Sequence, residues 1–110
     1  MPGGNEVVVI VRISSIAIPN ARIDDYLEYL QRDLIPRYET AEGIESVWVL
    51  QRRLLAYDEV TTISVWQAEE ALTRFFEGRP LNDPNCEYSG IEFESHTYKL
   101  VRSSGGWQRF

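Results

Sequence analysis

The chain has 110 residues, 44% of them apolar and 25% charged, with a net charge of −6 and a pI of about 4.7. This length accommodates one domain, and the composition is that of a globular rather than a disordered protein. Nucleic-acid binding is not expected, because a protein that displaces counterions from phosphates needs a surplus of cations. The cations are also scattered, with Arg52 and Arg53 as the only adjacent pair.

The N-terminal segment does not resemble a secretion signal or a membrane span. Residues 1–5 carry no charge cluster. The apolar run 7–18 is interrupted by Arg12 and is shorter than the roughly 20 residues that a membrane helix needs. The single cysteine, Cys86, excludes an internal disulfide. We therefore expect a cytoplasmic protein with no membrane partner.

The first half of the chain predicts a strand, a long helix and a second strand. Residues 7–13 are mostly β-branched, which favours a strand buried on both faces. Asn20 is a candidate helix N-cap, and Pro36 is expected to kink or restart the helix. Gly43 suits the left-handed residue that ends a helix, and strand character resumes over 44–50. Apolar residues recur at helical spacing between these points, at Ile23, Leu27, Leu30, Leu34 and Tyr38.

The second half repeats this order. Val60 to Trp66 is β-branched and aromatic, and we expect it to pair with the second strand in a hairpin, although no glycine marks the turn. A turn centred on Tyr57 places Trp48 opposite Trp66, whereas a shift of one residue sends the two rings to opposite faces. Asp58, Glu59, Glu69 and Glu70 are interpreted as solvated charges of a turn and a helix start. A helix over 68–76, a loop over 79–90, a strand over 92–102 and a tail over 103–110 follow.

The element order predicts an α+β domain of ferredoxin-like βαββαβ topology, with halves at 6–53 and 59–102. Its four-stranded antiparallel sheet carries two helices on one face. We treat 1–110 as a single domain with its core at about 6–102. Both sheet faces are apolar, since Trp48 and Leu50 oppose Val47 and Val49. Covering the second face is worth on the order of ten kcal/mol before association costs, so we expect a homodimer through that face.

Most catalytic motifs are absent from the sequence. It contains no GxSxG elbow, no P-loop and no GxGxxG. One histidine and one cysteine cannot build a structural zinc site, so no metal is expected. His96 is the candidate general base, because its unperturbed pKa lies near neutrality, although a strand histidine without a catalytic role is the alternative. Candidate substrate-binding residues of a flat apolar pocket are Trp66, Trp48, Phe75, Phe76 and Tyr98, which otherwise fill the core and the dimer interface.

Two stretches resemble the dimeric α/β-barrel superfamily, and within it the antibiotic-biosynthesis-monooxygenase-like domains. One is Ala41-Glu42-Gly43-Ile44 after the long helix, and the other is the segment 63–71, in which a strand-ending Trp66 precedes an acidic helix start. The resemblance covers about 6–102. It implies small cofactor-independent oxygenases of phenolic or anthrone-like substrates, and Trp66 matches the strand tryptophan that lines their pocket. Heme-degrading relatives resemble the chain less, because they have a helix histidine where this chain has Phe76, and an asparagine on the first strand.

These observations lead to one functional hypothesis and two alternatives. The hypothesis is a homodimeric oxidoreductase, a cofactor-independent monooxygenase of a small phenolic or polycyclic aromatic ligand, in which Trp66 holds the ring. His96 or another polar pocket residue would accept the proton. The alternatives are a non-catalytic small-ligand-binding or accessory homodimer, and an isomerase or cyclase on the same scaffold.

Overall fold

The structure is a computed structural model that describes residues 8–76 and 92–101. Several predictions lie outside the described residues: the start of the first strand at Val7, the loop 79–90 with Cys86, and the tail 103–110. Within the described part, no helix is long and apolar enough to cross a membrane.

Four antiparallel strands form one sheet in the order β2-β3-β1-β4. The strands are β1 (Ile10–Pro19), β2 (Ile44–Arg53), β3 (Tyr57–Trp66) and β4 (Glu92–Lys99). The two central strands, β1 and β3, pair along their full length. This order and the helices between the strands confirm the predicted α+β, ferredoxin-like fold.

The predicted long helix is interrupted close to Pro36. A 3₁₀ turn (Asn20–Arg22) leads into α1 (Ile23–Tyr29), a π-helical segment (Leu30–Leu34) and α2 (Ile35–Glu39). Pro36 has no amide hydrogen and its ring crowds the preceding turn, so the wider π-helical winding before α2 accommodates it. The restart at Pro36 is therefore confirmed.

The predicted N-cap at Asn20 is wrong. The residue at the N-cap of α1 is Arg22, and no side chain caps that helix. The Asn20 amide instead donates a hydrogen bond of 2.7 Å to the Asp58 carboxylate, so it ties the start of the helical segment to β3.

Helix α3 (Glu69–Phe76) packs closely against the end of α2 and the start of β2. Gly43 has a φ of +87°, which confirms its predicted left-handed conformation. A Cβ at this position would stand 2.5 Å from the Cβ of Ala71, so the glycine also allows α3 to approach. The acidic pair Glu69 and Glu70 occupies the first turn of α3, as expected.

The β2–β3 hairpin has a different register from the one centred on Tyr57. Trp48 pairs with Ile63, and Arg53 pairs with Asp58. The turn contains only Leu55 and Ala56, and the Leu54 amide donates to the Tyr57 carbonyl at 2.9 Å. Trp48 and Trp66 therefore lie on opposite sheet faces, and the prediction that they face each other is wrong. Neither turn residue has a positive φ, so the turn needs no glycine or asparagine that would have marked it in the sequence.

The two faces of the sheet have different environments. The helix side contacts the helices through Ile10, Ile18, Val60 and Trp66, all of them buried. The open face carries the alternate residues of the same strands, and no described helix packs on it. It holds Val11, Ile13, Trp48, Leu50, Ile63, Val65, His96 and Tyr98.

Asp58 is fully buried, which corrects its interpretation as a solvated turn charge. It receives hydrogen bonds from Asn20 and Gln51 and an ion pair of 3.0 Å from Arg53. The hydrogen bond from Gln51 is the largest cause that lowers the pKa of Asp58 from its ordinary value, and Asn20 and Arg53 add to it, while burial opposes it. The carboxylate thus joins β2, β3 and the first helical turn.

The Asp58 cluster predicts a specific acid sensitivity. A carboxylate with a lowered folded-state pKa stabilises the fold above its unfolded pKa of about 3.9, and this contribution disappears as pH falls through the folded value. Urea unfolding midpoints should therefore decline below about pH 4. Asp58→Asn should be less stable at neutral pH, because its NH₂ group must face a donor, and should show a smaller decline.

The matched control is Glu59→Gln at the neighbouring position. Glu59 pairs with the exposed Arg52 at 2.7 Å, and exposed pairs of this kind contribute little. Equal losses in the two variants at neutral pH would contradict the assigned role of Asp58.

Candidate functional site

The structure divides the predicted site residues between the two faces of the sheet. Trp66, Phe75 and Phe76 lie on the helix side, whereas Trp48, Tyr98 and His96 lie on the open face. One pocket in a single chain therefore cannot contain all six.

The helix-side cluster consists of four aromatic rings, those of Tyr38, Trp66, Phe75 and Phe76. Phe75 is central, with its ring centroid 4.8 Å from that of Tyr38, 5.2 Å from that of Trp66 and 5.0 Å from that of Phe76. Such offset and edge-on contacts are favourable between aromatic rings. The cluster forms where α2, α3 and the end of β3 meet.

Trp66 is the innermost ring of the cluster and is 0% exposed. Its indole N–H donates to the hydroxyl of Ser64 at 2.9 Å, so its polar atom is satisfied within the protein. Phe75 and Phe76 are only partly buried. A ligand can therefore contact the cluster at these two rings, whereas the indole of Trp66, which the sequence predicted to hold the ligand ring, is not exposed.

A cleft of about 290 Å³ borders the cluster between α2 and α3. Phe75 and Ala71 supply its apolar wall, and Arg37 and Arg74 stand at its polar side. Both arginines already have partners: Arg37 donates to the Tyr29 hydroxyl at 3.2 Å, and Arg74 pairs with Glu42 at 3.2 Å. The edge of this cleft is formed by Phe75 rather than Trp66.

Arg12 places a cation against the other end of the cluster. It is 6% exposed, and its guanidinium carbon lies 4.5 Å from the ring centroid of Phe76. Its cross-strand neighbours are Ser64 on β3 and Thr97 on β4. A guanidinium so close to a ring face is stabilised by a cation–π interaction. The aromatic cluster therefore has a positive end.

Arg12 and Ser64 did not emerge as site residues from the sequence. Arg12 interrupts a β-branched run, a pattern that does not reveal which face of the strand it occupies. The available signal was its spacing of two residues from Ile10, which places both side chains on the same face of the strand. A cation on the face that the helices cover is buried, and a buried cation needs a partner.

His96 and Tyr98 lie side by side on the open face, with ring centroids 6.2 Å apart. The imidazole Nε2 of His96 is 3.1 Å from the Glu94 carboxylate, and the pair is solvent-exposed. Because the sheet separates His96 from Trp66, His96 cannot take a proton from a ligand on the helix-side cluster of the same chain. The sequence predicted that either His96 or another polar pocket residue accepts the proton. Only the second alternative is compatible with a ligand on the helix-side cluster.

No group of three or more His, Cys, Asp or Glu side chains among residues 8–76 and 92–101 is arranged to hold a metal ion.

Several solved structures have similar folds. SnoaB, a cofactor-independent oxygenase from Streptomyces nogalater, has a TM-score of 0.66 at 11% identity, over 86% of this chain and 95% of its own. A heme-degrading protein from Mycobacterium tuberculosis has a TM-score of 0.65 at 18% identity, over 92% and 100%. A putative antibiotic biosynthesis monooxygenase from Bacillus cereus has a TM-score of 0.63 at 17% identity, over 90% and 99%.

The chain has the antibiotic-biosynthesis-monooxygenase-like fold. The resemblance inferred from the sequence is thereby confirmed at the level of the fold. Neither a protein-family model nor a curated protein sequence matches the chain. Since fold likeness at such low identity does not carry an activity with it, the function of this chain follows only from its own residues.

The likeness to the heme-degrading protein likewise concerns the fold. In this chain Phe76, which has no metal-ligating atom, lies at the outer end of the cluster beneath Arg12. The expectation that the chain does not degrade heme stays a prediction.

Proposed function

We propose that the protein is a cofactor-independent monooxygenase that binds a small phenolic or polycyclic aromatic substrate against the helix-side cluster. The observation that carries this proposal is the partly buried Phe75–Phe76 edge of the cluster, beside a cation and a cleft. A flat aromatic ligand gains contact area and ring stacking there. The fold shared with SnoaB, a cofactor-independent oxygenase, supports the reaction class.

The proposed chemistry needs no external reductant. An anthrone-type substrate loses a proton from its methylene carbon, and the resulting anion gives one electron to dioxygen. The two radicals combine to form a carbon–oxygen bond, the resulting peroxide anion takes up a proton, and the hydroperoxide then loses water to leave a ketone. One oxygen atom enters the product and the other leaves as water, so the substrate supplies all the electrons. The task of the protein is to favour the substrate anion and to orient it.

The second part of the proposal is a homodimer that covers the open face. Leu50 and Tyr98 are about half exposed on this face, at 53% and 50%. Val11, Ile13, Trp48, Ile63 and Val65 complete a contiguous apolar surface between them. A monomer rarely leaves such a surface in water. The proposed interface buries more than roughly 1,500 Å² in total, the size typical of stable complexes.

Oxygen uptake with anthrone and 1,4-dihydroxynaphthalene tests the reaction. One equivalent of dioxygen should be consumed per anthrone, and one ¹⁸O atom from ¹⁸O₂ should appear in the product. Phe76→Ala should lower kcat/KM by roughly tenfold or more, because the ring that orients the ligand is lost. The control Leu55→Ala removes an apolar side chain that is fully exposed at the hairpin turn and should leave the rate unchanged.

Other outcomes of this assay contradict the proposal in distinct ways. Turnover that continues without oxygen would indicate an isomerase or cyclase. Equal rates in Phe76→Ala and the wild type would place the ligand elsewhere.

Sedimentation velocity at micromolar concentration tests the dimer. Ile63 lies on the open face between Ile13 and Trp48 in the register of the sheet, so Ile63→Asp buries an unpaired charge in the interface and should yield a monomer. Thr73→Asp, which adds the same charge at an exposed position of α3, should remain a dimer. A wild-type chain that sediments as a monomer would refute this part of the proposal.

A non-catalytic small-ligand-binding or accessory homodimer is the second candidate. The complete burial of Trp66 favours it, because the indole is packed and hydrogen-bonded to Ser64 as a core residue would be. Saturable binding of the same aromatic compounds without oxygen uptake or product would support this function and reject the first.

A further inference from the structure

The end of the helix-side cluster next to β4 combines a ring, a buried cation and an exposed cation. Arg12 pairs with Thr97, and the preceding helix-side residue, Ile10, pairs with Lys99. Cross-strand partners point to the same face, so Lys99 lies diagonally across from Arg12, with Cα atoms roughly 7–8 Å apart. Lys99 is the only lysine in the chain. A protein with a net charge of −6 thus places Lys99 on the same sheet face as Arg12, whose guanidinium lies against Phe76.

We infer that Arg12 and Lys99 bind the negatively charged group of an aromatic ligand whose ring packs on Phe76. This inference rests on the proposed function and names its substrate class, a hydroxylated aromatic carboxylate or a compound of equivalent charge. Arg12 is the inner contact and Lys99 the outer one.

Burial gives Arg12 the greater role in binding an anion. At 6% exposure its charge acts through a medium of lower effective dielectric than water, where an ionic hydrogen bond is stronger than at the surface. A guanidinium has five N–H donors in a planar fork that matches the two oxygens of a carboxylate and that can serve several partners at once. The cation–π contact with Phe76 holds this fork over one face of the ring against which the ligand packs.

The proposed ligand reaches Arg12 from the β4 side. Thr97 and Lys99 are exposed on the same sheet face, and Phe76 is only partly buried. Trp66 and Ile10 close the inner side. A ligand that enters over β4 therefore meets a hydroxyl and an ammonium group first, then the guanidinium, while its ring slides along Phe76. This order suits an amphipathic anion better than a neutral ring.

The same pair of cations supports the proposed reaction. Two positive charges next to the bound ligand stabilise its deprotonated form, which is the form that gives an electron to dioxygen. No histidine is needed for this effect, and His96 lies on the opposite face. Arg12 is thus assigned as a binding residue that also favours the reactive anion.

The test compares two probes of the same shape and different charge, naphthalene-2-carboxylate and 2-naphthamide, by isothermal titration calorimetry. The wild type should bind the carboxylate about tenfold or more tightly than the amide, the range expected for an ionic hydrogen bond in a partly buried site. Arg12→Gln should bring the ratio close to one, Arg12→Lys should retain part of it, and Lys99→Gln should lower it a few-fold.

The matched control is Arg32→Gln, which removes the same charge from an exposed arginine paired with Glu28 and Asp33. Its ratio should equal that of the wild type. A ratio that survives Arg12→Gln, or that falls equally in Arg32→Gln, would overturn the inference and leave Arg12 as a structural partner of Phe76. If Arg12→Gln does not unfold cooperatively and is therefore not folded, Arg12→Lys and Lys99→Gln serve as the test. A carboxylate-to-amide affinity ratio equal to that of the wild type in both variants overturns the inference.

Failure of this inference is distinguishable from failure of the proposed function. Oxygen uptake with neutral hydroquinones but no preference for the carboxylate probe would reject anion binding by Arg12 and Lys99 and retain the monooxygenase proposal. Preference for the carboxylate without oxygen uptake would retain anion binding by the two cations, in a ligand-binding protein that is not a monooxygenase.

Discussion

The register of the β2–β3 hairpin is the constraint on which the two surfaces of this protein depend. A turn of only Leu55 and Ala56 sets Trp48 against Ile63, and this pairing places every alternate residue of both strands. A shift of one residue would reverse the two faces of β2 and bring Trp48 under the helices. Asp58 holds this register from inside, because its carboxylate binds Arg53 and Gln51 of the opposite strand.

The register also separates the proposed ligand-binding surface from the proposed dimer interface. The helix side receives the aromatic cluster with Arg12 at its end, whereas the open face receives apolar residues together with His96 and Tyr98. In the proposed dimer a partner subunit covers the open face and leaves the helix side accessible. Charged groups are divided between the faces as well. The two cations of the proposed anion site lie on the helix side, and the His96–Glu94 pair lies on the open face.

Periodic features of the sequence predicted the fold well. The helical stripe from Ile23 to Tyr38, the restart at Pro36 and the left-handed Gly43 each follow from local chemistry that acts within a few residues. The apolar alternation of β2 likewise predicted that Trp48 and Leu50 face away from Val47 and Val49. These features need no knowledge of which strand lies beside which.

The site was harder to predict, because it depends on contacts between distant residues. The turn lacks the glycine or asparagine that would have fixed its length, so the sequence could not decide whether Trp48 joins Trp66. The sequence suggests that Asp58 is a solvated turn charge, because the hydrogen bond that it accepts comes from Asn20, 38 residues earlier. Arg12 becomes informative only once Phe76 and Lys99 are placed around it.

In the proposed arrangement the helix side binds an aromatic anion and the open face binds a second subunit. The most direct measurement is an NMR titration of ¹⁵N-labelled protein with naphthalene-2-carboxylate. We expect amide shifts to concentrate at Phe76, Thr97 and Lys99 and to leave Trp48 and Ile63 in place. Shifts concentrated at Trp48, Ile63 and Tyr98 would contradict this arrangement, because the ligand would then occupy the face assigned to the partner subunit.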